Sequence, residues 1–162
     1  MKTAKTILLI DDDIDDQEFF IDALKGIANA ELLHVANNGR EALDMLQNRA
    51  TLPDIIFSDI NMPLMNGIEY LAEMAKHPYF KNIPVIILSS ATERREIAFG
   101  LGARSFIEKT SVLGTLRARI QELIKRDDES IVETQCIQYN AEVLAARMGL
   151  SYTPYEPIPG LN

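Results

Sequence analysis

Five short apolar runs, each rich in Ile, Leu, Val or Phe, punctuate the chain at positions 6–10, 32–35, 55–57, 85–88 and 106–107. Runs this short suit β-strands and are too brief for helices. Between them, apolar residues recur with helical spacing: Ile14, Ile21 and Leu24, then Ala42, Leu43 and Leu46, then Ile68, Leu71, Ala72 and Ala75. The alternation predicts an α/β fold: a doubly wound sheet of five parallel strands, joined by crossover helices on both faces. Turn-forming pairs such as Asn38-Gly39, Pro53-Asp54, Asn66-Gly67 and Ile83-Pro84 fall between the elements. Positions 111–126 present Val112, Leu116, Ile120, Leu123 and Ile124 as one apolar stripe, which predicts a fifth helix that ends the domain near Arg126.

The pattern then changes, dividing the chain into a domain over 1–126 and a C-terminal extension over 127–162. Ser130 and Glu133 have the spacing of a capping box for a helix over about 131–148. Beyond Gly149, three prolines and two tyrosines favour an extended path. With 162 residues, 47% apolar, the chain can bury one ordinary core but not two full-sized domains. A formal charge of −8 argues against nucleic acid as a partner. One cysteine, Cys136, cannot close an internal disulfide, and no apolar run is long enough for a leader or a membrane span. The expected compartment is the cytoplasm, with no membrane partner.

Charge becomes informative at ILLIDDDIDD, positions 7–16, where four apolar residues lead into five aspartates within six positions. Two carboxylates about 4 Å apart repel by roughly 4 kcal/mol at an effective dielectric near 20. A cation must compensate, or the aspartates must diverge into water. In a doubly wound sheet, ligands bind at the carboxyl ends of the strands, near the point where strand order reverses. The residues that follow each run are therefore the candidates: Asp11 and Asp12, Asp59, Ser89 and Ser90, and Lys109. Converging carboxylates suit Mg²⁺, a hard cation that prefers oxygen ligands. A carboxylate can attack phosphorus, with the metal and a lysine neutralising the phosphoryl oxygens. Asp13, Asp15 and Asp16 read instead as the first turn of a helix, where acids favour the dipole and one can serve as N-cap.

The segment DINMPLMNG from Asp59 matches the pattern D-x-x-M-P-x-M-(D/N)-G at every defined position. With the paired acids, the hydroxyl and the lysine in the same order, positions 5–126 resemble the response-regulator receiver domain of two-component signalling, in a stand-alone, chemotaxis-regulator-like form. The resemblance implies a flavodoxin-like sheet of order 2-1-3-4-5. It implies that Asp59 accepts a phosphoryl group from a sensor histidine kinase or a phosphotransfer protein, and that the chain switches protein contacts without being a turnover enzyme. Asp12 would bind Mg²⁺ directly, Asp11 through a water, Asp59 by its carboxylate and Asn61 by its backbone carbonyl. Lys109 would pair with Asp59 and then with the phosphoryl group. Ser89 and Phe106 stand at the family's switch positions.

This chain departs from the family pattern in two places. Thr110 stands where a proline usually follows the lysine, which predicts a trans peptide there. The interval from Ser89 to Lys109 is also short, which bears on the fourth helix and on any homodimer built from it. Two rival functions fit less well. A haloacid-dehalogenase-type phosphatase would use Asp11 and Asp13, but it wants Thr or Val where Asp15 stands, and an acidic pair after a late strand. The pair Asp127-Asp128 follows a helix instead. A calcium loop would use Asp11, Asp13, Asp15 and Asp22, but Asp16 stands where its turn needs glycine. His34, His77 and the methionines at 62, 65 and 74 read as incidental or as packing. The extension is expected to pack on the domain or on a second copy, with positions 152–157 as a clasp.

Overall fold

The computed structural model describes residues 4–48 and 50–128. Strands β1 (Lys5–Ile10), β2 (Ala30–Ala36), β3 (Ile55–Ser58), β4 (Val85–Ser89) and β5 (Ser105–Glu108) alternate with helices α1 (Ile14–Leu24), α2 (Gly39–Gln47), α3 (Gly67–Lys76), α4 (Arg95–Gly100) and α5 (Leu113–Asp128). The strands form one parallel sheet of order β2-β1-β3-β4-β5. This is the doubly wound arrangement that the alternating pattern predicts.

The apolar runs are unbroken because the central strands are buried on both faces, as parallel sheets require. Successive residues point to opposite sides. Ile7 and Leu9 of β1, with Ile55 and Phe57 of β3, enter one core with Phe20, Leu24, Leu116, Ile120 and Ile124 of α1 and α5. Leu8 and Ile10, with Ile56 and Ile87, enter the other, against Leu43 and Leu46 of α2 and Ile68, Leu71 and Met74 of α3. Phe20 meets Phe57 at 5.0 Å between ring centres and so fixes α1 to the middle of the sheet. The methionines at 62, 65 and 74 are buried in the second core, as expected of packing residues.

Helix starts follow local side-chain chemistry. Asp13 accepts hydrogen bonds from the Asp15 and Asp16 N–H groups, Asn38 from Glu41, and Asn66 from Ile68 and Glu69, the last completed by Glu69 as a capping box. Each cap follows shortly after a strand end, so each helix begins at the rim where the candidate residues lie.

Several expected faces are corrected. Ile14 is 64% exposed, because as the first residue of α1 it lies past the end of β1. The buried face of α1 is Gln17, Phe20, Ala23 and Leu24, with Ile21 half-buried beside it. Ala75 is exposed on α3. Val112 is exposed because α5 starts one residue later and buries Leu116, Ile120 and Ile124, at a spacing of one helical turn. The fifth helix continues to Asp128, two residues past the expected end. A 3-10 turn at Thr92–Arg94 precedes an α4 of only six residues, where the Ser89–Lys109 interval is short. The expected helix over 131–148 and the Pro/Tyr-rich tail lie outside the described residues.

Tyr70 on α3 is fully buried, and no described group reaches its hydroxyl. Burial disfavours the phenolate and raises its pKa above the ordinary 10.0. The fold thus holds the protonated form. The associated stability is present below pH 10.0 and is lost as pH rises beyond it, when the unfolded chain ionises first. Tyr70→Phe is expected to stabilise the protein by about 1 kcal/mol by removing an unpaired buried hydroxyl. It should also flatten the decline of stability above pH 10.0; urea unfolding across that pH range checks both.

Candidate functional site

The rim residues meet because β1 and β3 are neighbours. Ile10 pairs with Ser58, so Asp11 and Asp59 emerge side by side. Main-chain bonds continue past the strands: Asp11 N–H donates to Ala36 O at 3.0 Å and Asp59 N–H to Ile10 O at 2.8 Å. Gln17, buried at the start of α1, donates from Nε2 to the Asp11 carbonyl at 2.7 Å. Asp13 N–H donates to Asp11 Oδ1 at 3.0 Å. Asp11 is therefore fixed in both backbone and carboxylate.

Asp59 is held as tightly. Its Oδ1 accepts the Ile60 N–H at 2.6 Å, and its carbonyl accepts the Ser58 hydroxyl at 2.8 Å. The loop then folds back, with Gly67 N–H donating to Ile60 O at 2.9 Å. A Cβ at position 67 would collide with the Asp59 carbonyl oxygen, so this return needs glycine. Between them, Met65 N–H donates to Pro63 O at 2.7 Å across Leu64, whose φ is 65°. That is a tight γ-type turn with a positive φ, an uncommon and costly state for leucine.

Lys109, at the end of β5, reaches across to these acids. Its Nζ lies 2.9 Å from Asp11 Oδ2, 2.6 Å from Asp16 Oδ2 and 3.1 Å from Asp59 Oδ2. Burial pushes the Asp11 carboxyl above the usual carboxylate range, opposed by the Lys109 hydrogen bond and the Asp13 N–H. Burial alone would lower the Lys109 pKa, but the hydrogen bonds it donates to Asp16 and Asp11 and the charges of Asp11 and Asp59 outweigh it, and the net shift is upward. The lysine is thus held as a cation at any ordinary pH.

Asp11, Asp12 and Asp59 offer carboxylate oxygens that all lie within 4.8 Å of one another. Such a set of hard oxygen donors fits a divalent cation such as Mg²⁺. Asp12 is the exposed member. Asn61 is exposed two residues past Asp59. Ser89 is buried at the end of β4; its Oγ accepts the Ala91 N–H at 3.3 Å, and no hydrogen bond among the described residues ties it to the carboxylates. Ser90 is exposed. Phe106 is half-buried beside Ile87, with the Arg95 guanidinium 4.8 Å above its ring. The Lys109–Thr110 peptide is trans. His34 lies on the edge strand β2, and His77 stacks on Phe80 at 3.8 Å after α3.

Two residues were not among the candidates. Asp16, read as a helix-dipole acid, is a direct partner of Lys109, and Gln17 supports the Asp11 backbone. Gln17 carries a legible signal, since it is the polar member of an otherwise apolar stripe with Phe20, Ala23 and Leu24. Asp16 carries none, because only the distant Lys109 separates it from its neighbours.

The family model for the response regulator receiver domain matches residues 7–121. The chain belongs to this family. It is 37% identical over 116 residues to a protein-glutamate methylesterase/protein-glutamine glutaminase of Geobacillus kaustophilus, covering 68% of this chain and 31% of that protein. The chain thus spans about a third of that relative's length. Among solved structures, the phosphorylated cyanobacterial phytochrome response regulator RcpA superposes with a TM-score of 0.69 at 26% identity, over 80% of this chain and 98% of that one. The Mn²⁺-bound response regulator Rcp1 gives 0.66 at 26% identity, over 79% and 97%. No helix of the described receiver domain is long and apolar enough to cross a membrane.

The elevated Asp11 pKa has a consequence for stability. Its ionisation costs the fold free energy, so its contribution is best at low pH and is lost as pH rises through the elevated folded value. Asp11→Asn is therefore expected to raise stability in metal-free buffer at neutral pH, with the difference shrinking as pH falls toward 3.8. Added Mg²⁺ should stabilise the wild type by mass action and the variant far less. Urea unfolding with Mg²⁺ or EDTA checks this, and a variant weaker than wild type without metal would contradict the burial argument.

Proposed function

We propose that this receiver domain is a phosphoacceptor, and that Asp59 takes a phosphoryl group from a histidine of a sensor kinase or phosphotransfer protein. The observation that carries this reading is the unequal treatment of the two Asp59 oxygens. Oδ1 is fixed by the Ile60 N–H, which leaves Oδ2 directed at the Lys109 ammonium. In the transfer, Oδ2 forms a bond to phosphorus as the P–N bond of the phosphohistidine breaks, and the electron pair returns to the imidazole ring. Lys109 then donates to the phosphoryl oxygens in place of Oδ2.

Asp11, Asp12 and Asp59, with the Asn61 backbone carbonyl, would hold Mg²⁺, which when bound supplies positive charge for the phosphoryl oxygens. The phosphorylated state of RcpA and the Mn²⁺ bound to Rcp1 support the same chemistry here. Ser89 and Phe106 would report the event, the hydroxyl turning toward the phosphoryl group and the ring following it. Three exposed apolar residues support a protein as donor: Ile14 at 64% exposure, Leu64 at 88% and Val112 at 57%. Ile14 opens α1 two residues after Asp12, and Leu64 and Val112 lie in the loops that follow Asp59 and Lys109, so all three add exposed apolar area close in sequence to the charged residues. Signalling then proceeds through switched protein contacts in the cytoplasm, a homodimer among them.

Acetyl phosphate with Mg²⁺ is expected to add one phosphoryl group to the wild-type chain, read by intact mass. EDTA and Asp59→Asn should each abolish the adduct. An adduct that persists in Asp59→Asn would overturn the site assignment.

A further inference from the structure

The Lys109 ammonium has three N–H donors, and among the described residues it has three carboxylate partners. The shortest of the three contacts is to Asp16 on α1, and the longest is to Asp59. Two of the partners, Asp11 and Asp59, also belong to the carboxylate group suited to a divalent cation, whereas Asp16 does not. Lys109 and a cation would therefore draw on the same two anions and repel each other across them. Asp16 is the anion that remains to the lysine alone.

We propose that Asp16 is a positioning residue for Lys109, retaining one of its three donors so that the ammonium stays at the site when Asp11 and Asp59 turn to metal and phosphoryl group. The inference rests on the phosphoacceptor reading of Asp59. Geometry supports it beyond the single distance. Asp16 is set by the helix start, since its N–H donates to the N-cap Asp13 at 3.2 Å. The following residue, Gln17, is bonded to the Asp11 carbonyl, so the first turn of α1 is locked to β1. The Asp16 carboxylate is thus presented to Lys109 from a rigid element and not from a flexible loop. Its side chain remains 45% exposed, so the effect is moderate and not all-or-none.

The test uses the full chain and two readouts. One is the rate of labelling by acetyl phosphate at saturating Mg²⁺; the other is the ¹⁵Nζ ammonium signal of Lys109 with Mg²⁺ present, assigned by its loss in Lys109→Arg. Asp16→Asn is expected to slow labelling by about fivefold and to weaken the protected ammonium signal severalfold. Asp16→Glu should recover part of both. Asp15→Asn removes the same charge from the same helical turn and should leave both unchanged, which separates the Lys109 contact from a helix-dipole or net-charge effect. Asp16→Ser replaces the Asn variant if thermal unfolding shows that variant to be misfolded. The two readouts must move together: wild-type labelling, an intact ammonium signal, or an equal loss in Asp15→Asn would each overturn the proposal. A wild-type chain that takes no phosphoryl group, with its ammonium signal present and sensitive to Asp16, would instead overturn the phosphoacceptor reading.

Discussion

One ammonium group balances the acids of this site. Asp11, Asp16 and Asp59 converge on Lys109 within 3.1 Å, and two of the three carboxylates are buried. Without a cation among them, their mutual repulsion would force protonation or separation. Placement of that cation depends on the whole sheet, because Lys109 is carried by β5 while the acids follow β1 and β3, with β4 between. Any slip of β5 would withdraw the lysine from the acids. The register of an outer strand therefore decides the charge balance at the centre of the molecule.

The backbone beneath the site is held by side-chain and loop hydrogen bonds. Gln17 and Ser58 donate to the Asp11 and Asp59 carbonyls, and the Gly67 return closes the loop behind Asp59. Leu64 absorbs the cost of that return in a positive φ, at a place where its side chain stays in solvent. Strain at one exposed residue thus secures the position of a buried carboxylate. The opposite side is built more lightly. Its α4 has six residues and buries only Ala98, and its first residue, Arg95, lies over the Phe106 ring of β5. The rigid acids and the lighter α4 side share one rim, an arrangement suited to a local charge event read out at a distance.

Much of this was legible before any coordinates. Continuous Ile, Leu and Val runs gave the central strands, because a strand buried on both faces has no polar alternation. Helix faces were less legible. Ile14 and Val112 look like core residues by spacing, yet each lies at a helix start beyond the sheet's edge, where periodicity has nothing to pack against. Ser89 was expected just past the fourth apolar run and is the last residue of β4, where its hydroxyl accepts the Ala91 N–H and no described hydrogen bond ties it to the carboxylates.

By itself the amino-acid order determined the element sequence, the turn-forming pairs Asn38-Gly39 and Asn66-Gly67, the acidic first turn of α1 and the motif around Asp59, because each depends on residues a few positions apart. It separated Asp11 and Asp12 at the strand end from Asp13, Asp15 and Asp16 in the first turn of a helix, but it could not set Asp16 apart from Asp13 and Asp15. Asp11, Asp13 and Asp16 are the same residue type within six positions, and one became a buried ion-pair partner, one a helix cap and one a lysine ligand. Only the tertiary structure decided this, because the difference lies in the direction each carboxylate takes from β1 and α1 and in the position of Lys109, some ninety residues away in the chain.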